Sequence, residues 1–150
     1  MEKIDWSLKK FEELSSLELY EILQLRSEVF VVEQKCVFLD MDDKDQFSQH
    51  LQGRIDGKLA AVVRILPPGL AYNEPSIGRV VSSPLFRRKG VGIELMKTAI
   101  KETICLYGDV PIKIGAQQYL KKFYESFGFQ QCSETYQEDD IPHIKMIRNQ

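Results

Sequence analysis

Residues 80–96, VVSSPLFRRKGVGIELM, pass from an extended apolar stretch through three consecutive cations and two glycines into a helical pattern. A helix N-terminus exposes N–H groups that have no intrahelical partner and carries partial positive charge, so it attracts phosphate. Gly90 and Gly92 let the backbone approach a ligand with no Cβ in the way. Arg87, Arg88 and Lys89 add charge beside those amides, and arginine grips phosphate bidentately. The segment therefore reads as a diphosphate site or, on Gly-x-Gly alone, as a tight turn with solvated cations. Two other phosphate loops are excluded. A dinucleotide fingerprint needs a third small residue where Leu95 stands, and GxxxxGK[ST] does not occur.

The flanking sequence supplies the order of elements. A short mixed stretch, Ile4 to Phe11, predicts an opening strand. Ser15 with Glu18 forms a capping-box pattern ahead of an apolar face of Leu19, Ile22, Leu23, Leu25, Val29 and Phe30. Asp56-Gly57 marks the turn of a hairpin, and SIGRVVSS predicts a further strand. A long helix is expected from about Lys89 to Tyr107, then a buried strand in VPIKIGAQ and a short helix in QYLKKFYESFGF. Two last strands, QQCSETYQ and HIKMIRN, are expected around the acidic turn EDDIP. The sum is β-α-(α)-β-β-β-α-β-α-β-β in a single domain, residues 1–150. That is an α/β (α+β) fold with a mixed, mostly antiparallel twisted sheet and helices on both faces.

Composition narrows the partners. A net charge of −2 gives no whole-molecule reason to expect nucleic acid or an anionic membrane, and no apolar run approaches a membrane span. Cys36, Cys105 and Cys132 are odd in number and form no CxxC pair, and no hydrophobic signal segment opens the chain. Unpaired thiols in a reducing cytoplasm are expected, packed as small buried hydrophobes. No combination of histidine, cysteine and carboxylate suggests a metal. DMDDKD lacks the glycine of an EF-hand and carries Lys44 at a ligand position.

The segment Arg87-Arg88-Lys89-Gly90-Val91-Gly92, with Pro84 and Phe86 before it, resembles the (Q/R)xxGx(G/A) acetyl-CoA motif of the GNAT N-acetyltransferase superfamily. AQQYLKKFYESFGF is similar to the NxxAxxxYxxxGF block of the same superfamily, with Gln117 for its asparagine and Leu120 for its alanine. LQLRSEVFVVEQ, GAQ, FYESFGF and EDDIPHIKM resemble the ElaA-like bacterial branch. The resemblance covers nearly the whole chain. It implies the GNAT acyl-CoA N-acyltransferase fold, with acetyl-CoA as cosubstrate and an amine as acceptor. It also implies that amides of residues 89–92 hold the diphosphate while Val80, Val81 and Ser82 pair with pantetheine. A strand amide, at Val80, would face the thioester carbonyl, and Gln117 would make a further coenzyme contact. Tyr124 falls on the position that protonates the departing thiolate.

Acetyl transfer also needs a neutral amine, and an unperturbed alkylamine has a pKa of about 10. His50, His143 and Glu33 are the candidate bases, with a water chain to solvent as the alternative. Asp40, Asp42, Asp43 and Asp45 lie in the loop that, by resemblance, borders the acceptor; they are otherwise a solvated loop. Arg26 either pairs internally or faces the cleft. No histidine stands near Cys36 in sequence, which disfavours an acetyl-enzyme and favours direct attack in a ternary complex. Two non-enzymatic readings stand beside this one: a module that binds acyl-CoA without turnover, and an interaction protein on the same fold. Exposed edge strands offer a route to a homodimer.

Overall fold

The computed structural model describes residues 2–149. The chain opens with β1 (Asp5–Lys10) and α1 (Ser16–Arg26). Ser15 and Glu18 cap α1 reciprocally: Glu18 N donates to Ser15 Oγ at 3.0 Å, and Ser15 N donates to Glu18 Oε1 at 2.9 Å. Beyond Arg26 the coil widens to a π-helical turn over Ser27–Glu33. There the N–H of Gln34 reaches back five residues to the Val29 carbonyl, and that of Cys36 to Val31. Valines at 29, 31 and 32, stiff at χ1, crowd a tighter α coil here.

β2 (Gln49–Ile55) and β3 (Lys58–Leu66) form the expected hairpin. Asp56 at φ 51° and Gly57 at φ 77° supply the two left-handed residues that a type I′ turn requires. β4 (Ser76–Ser82) follows, then α2 (Val91–Tyr107), β5 (Ile112–Gln117) and α3 (Lys121–Glu125). α2 starts two residues later than the sequence pattern implies. Three strands close the chain where two were expected: β6 (Phe129–Gln131), β7 (Tyr136–Glu138) and β8 (Ile141–Arg148). β6 and β7 both pair with β8, and Ser133 Oγ accepts from Lys145 N at 2.9 Å between them. A side chain has replaced a ladder bond and broken one strand into two.

The strands form two antiparallel halves, β1-β2-β3-β4 and β5-β8-β6, with β7 on β8. β4 and β5 touch at their starts, where Lys113 N donates to the Pro75 carbonyl at 3.1 Å. The expected mixed sheet is thus divided at its one parallel seam, because β4 carries a bulge that bends it out of a parallel ladder.

Alternation along β3 places the helices on opposite faces. Val62, with Val81 of β4, packs under Ile22, Leu25 and Val29 of the first helical region. Ala61 and Val63 belong to the larger core, with Leu95, Met96, Ala99 and Ile100 of α2. Tyr124 of α3 and Phe129 join that second face. The three cysteines are unpaired, and Cys105 and Cys132 are exposed, contrary to the expectation of buried thiols. Among the described residues no helix is long and apolar enough to cross a membrane.

Candidate active site

Past the Lys113–Pro75 bond the two half-sheets enclose a cavity of about 450 Å³. One side is β4 from Ile77 to Ser82, and the other is the end of β5, Gly115 to Gln117. The π-helical turn contributes Val29, Phe30, Glu33 and the adjoining Gln34. The wider coil thus presents a face that regular α geometry would rotate.

The bulge shapes β4. Arg64 pairs with Gly78 and Val62 with Val81, leaving Arg79 and Val80 together opposite Val63. Arg79 takes φ 50°, a left-handed conformation disfavoured for an L residue. The extra residue switches the alternation, so that Ile77 and Val80 face the α2 core while Val81 faces α1. Val80, Val81 and Ser82 all line the cavity.

At the head of α2, Arg88 (φ 64°) and Gly90 (φ 75°) turn the chain into the helix. Gly90 is the N-cap and has no side chain with which to cap, so the first-turn amides at Val91 and Gly92 stay available. A Cβ at Gly92 would meet nothing closer than Phe123 at 4.0 Å, so packing does not demand the glycine. Arg88 makes no ion pair among the described residues. Arg87 binds Glu33 bidentately at 2.6 and 2.8 Å, and Lys89 lies 3.2 Å from Glu2. A dipolar helix end, close backbone approach and three adjoining cations, of which Arg88 has no carboxylate partner among the described residues, fit a diphosphate.

Tyr124 is 6% exposed, lines the cavity, and packs edge-on against Phe129. Its hydroxyl makes no hydrogen bond among the described residues. Burial pushes the phenol's pKa up, so the side chain stays protonated at any physiological pH. Gln117 donates through Nε2 to Gln34 Oε1 at 3.2 Å, tying β5 to the π-helical turn across the cavity.

The three candidate bases separate. His143 lines the cavity. Its Nδ1 donates to the Ile141 carbonyl at 2.7 Å, and its Nε2 lies 3.5 Å from Glu138. The ring stacks on Tyr136 with centroids 5.9 Å apart. Glu33 also reaches the cavity, but the paired hydrogen bonds from Arg87 hold its carboxylate below the usual pKa, which weakens it as a base. His50 does not line the cavity. It is 1% exposed, its Nε2 lies 2.8 Å from the Asp45 carbonyl, and burial lowers its pKa. The side chain points under the 40–45 loop because β2 turns that face inward.

That loop is not a solvated acidic wall either. Arg26, 1% exposed, binds Asp40 at 2.8 Å and Asp45 at 2.8 and 3.1 Å. Arg64 binds Asp42 at 2.6 and 2.7 Å and Asp45 at 3.0 Å. Burial alone would raise the Asp45 carboxyl, but Arg26 and then Arg64 hold it below its usual range. Arg64 interrupts the apolar run AAVVRIL, and a cation inside a buried strand was the available signal for this network. Arg79 and the Glu138–His143 contact carried no comparable signal, since a bulge and a turn create them. No group of three or more histidine, cysteine or carboxylate side chains is poised to hold a metal among the described residues.

A family model for the acetyltransferase (GNAT) domain matches residues 24–149. Protein ElaA of Escherichia coli is 41% identical over 147 residues, covering 97% of this chain and 96% of that protein. A UPF0039 protein of Synechocystis is 40% identical over 146 residues, covering 97% and 95%. The crystal structure of an acyl-CoA N-acyltransferase from Pseudomonas aeruginosa superposes with a TM-score of 0.93 at 43% identity, covering 97% of this chain and 99% of that one. The E. coli ElaA structure gives 0.91 at 40% identity, covering 98% and 100%. The likeness thus runs along essentially the full chain in both sequence and fold, and the protein belongs to the GNAT acetyltransferase family, among its ElaA-like members.

Proposed function

We propose that this chain is an acetyl-CoA-dependent N-acetyltransferase working through a ternary complex. Acetyl-CoA, when bound, supplies an acetyl thioester that an amine attacks directly, with release of the CoA thiol. The amides of Lys89 to Gly92, with Arg87 and Arg88, hold the diphosphate. Val80, Val81 and Ser82 offer β4 backbone groups to pantetheine, and Gln117 bounds its other side. The Val80 amide takes the carbonyl oxygen as negative charge develops there. Tyr124 donates its phenolic proton to the departing sulfur. His143, through Nε2, takes the proton that the amine must lose, and Glu138 stabilises the resulting imidazolium. His143 fills this role better than His50 or Glu33, the one lying outside the cavity and the other tied to Arg87.

The observation that carries this reading is that a bulged strand, an unpartnered phenol and an imidazole line one cavity beside an uncapped helix start. Calorimetry with acetyl-CoA and with CoA tests it, on wild-type and on an Arg88→Glu/Gly92→Asp variant. Wild-type binding weakened at least about tenfold in the variant is expected, since charge-assisted bonds to phosphate are replaced by repulsion. No wild-type binding refutes the coenzyme site. Binding without thiol release on butylamine, 1,4-diaminobutane, glucosamine and an alanine-terminated peptide makes the chain a non-catalytic acyl-CoA module.

A further inference from the structure

We propose that Arg79 is a positioning residue: clamped by the 40–45 loop, it holds the β4 bulge in register and so fixes the Val80 backbone on the cavity. This rests on the reading that Val80 receives the thioester carbonyl, and adds to it the device that keeps Val80 in place.

Arg79 takes φ 50° in the middle of a strand, where a residue with a Cβ settles only if its surroundings over-determine it. They do. Arg79 Nη2 donates to the Asp40 carbonyl at 2.8 Å, and the guanidinium is ion-paired without hydrogen-bond alignment to Asp40, Nε 2.8 Å from Oδ1, and to Asp42, Nη2 3.5 Å from Oδ2. Neither aspartate is free to follow Arg79 if it moves. Asp40 is bound from behind by Arg26 and Asp42 by Arg64, and both of these arginines are buried. Three cations and three carboxylates thus form one rigid unit between α1, β3 and β4. Its only member on the cavity is Arg79. Val80 faces the α2 core and Val81 the α1 side, and not the reverse, because the extra residue sits at 79. Were the guanidinium released, the backbone would relax toward negative φ, the extra residue would shift along the strand, and Val80 would leave its position.

The acidic loop accordingly serves geometry and not the attraction of a cationic acceptor. The clamp bears most directly on the Val80 amide and so on the acetyl group, because Val81 and Ser82, which also face pantetheine, are held by their own pairing with Val62 and Ala61; that separates it from a general stabilising role. CoA and acetyl-CoA share every contact except those of the acetyl group. Calorimetry with both ligands on wild-type, Arg79→Ala and Arg79→Gly, with thermal midpoints recorded alongside, provides the test. Arg79→Ala loses about fivefold in the preference for acetyl-CoA over CoA, the equivalent of one neutral hydrogen bond, while CoA affinity stays within about twofold. Arg79→Gly, which adopts φ 50° without strain, keeps more of that preference even though it lacks the clamp. It also guards against an alanine variant that fails to fold. An Arg79→Ala variant that melts earlier but keeps the wild-type preference overturns the clamp and leaves coenzyme binding standing. A wild-type protein that binds both ligands equally also overturns it. A wild-type protein that binds neither removes the coenzyme reading itself, and the clamp with it.

Discussion

Glu18 joins local structure to pH-dependent stability in a way that one substitution isolates. Its carboxylate accepts from Ser15 N at 2.9 Å, from Lys9 Nζ at 3.0 Å and from Gln52 Nε2 at 2.6 Å, so it caps α1 and ties that helix to β1 and β2. The Ser15 amide first, and then Lys9 and Gln52, lower its pKa from 4.5 to about 2 against the opposing effect of burial. At about 1.4 kcal/mol for each tenfold change in proton affinity, that depression corresponds to about 3 kcal/mol. The side chain is 19% exposed, and solvent screening reduces the realistic figure to about 2 kcal/mol. The folded-state pKa is depressed, so this stability is complete above the unfolded pKa near 4.5 and is lost as pH falls toward 2. Glu18→Gln retains a capping-box side chain but not the charge. Urea unfolding is expected to show a deficit of about 2 kcal/mol at neutral pH, more than half of it gone by about pH 3. A deficit that stays constant across that range would refute the electrostatic account and leave only a packing effect.

Three other outcomes follow from the geometry. Tyr124→Phe keeps the edge-on ring packing and should lower turnover by about 100- to 10,000-fold, with acetyl-CoA affinity by calorimetry and the thermal midpoint close to wild-type. His143→Gln should reduce kcat/KM by about 100-fold without changing coenzyme affinity, a split that steady-state kinetics with calorimetry resolves. Gly53→Ala would place a Cβ 2.5 Å from Trp6 Cζ3, a rigid ring, and should destabilise the fold by about 1–3 kcal/mol in urea melts.

Where the chain obeys a short-range rule, its sequence foretold the structure. Ser15 with Glu18, Asp56-Gly57 and the Gly90–Gly92 helix start all depend on neighbours a few residues away, and all formed as expected. The order of elements as far as α3 followed from periodicity and turn signals, and helices on both faces from the helical crossovers. Features that depend on distant partners were hidden. His50 reads as a free histidine at a strand start, and only the folded loop above it makes it a buried partner of the Asp45 carbonyl. The aspartates of DMDDKD read as solvated because the three arginines that neutralise them come from positions 26, 64 and 79. The strand broken at Ser133 and the sheet divided at β4 each turn on one backbone irregularity that no composition signals.

The seam between β4 and β5 also bears on how the molecule opens. Among the described residues a single backbone hydrogen bond, Lys113 N to the Pro75 carbonyl, joins the facing edges, and α2 packs in one core with residues of both strands. The halves therefore have the makings of separate cooperative units whose local openings need not coincide. A ligand seated in the seam would bond to both edges and join those units into one. Such a ligand would act as a rivet: deuterium exchange at the β4 and β5 edge amides would slow sharply, while the β2–β3 hairpin, already paired on both sides, would exchange as before.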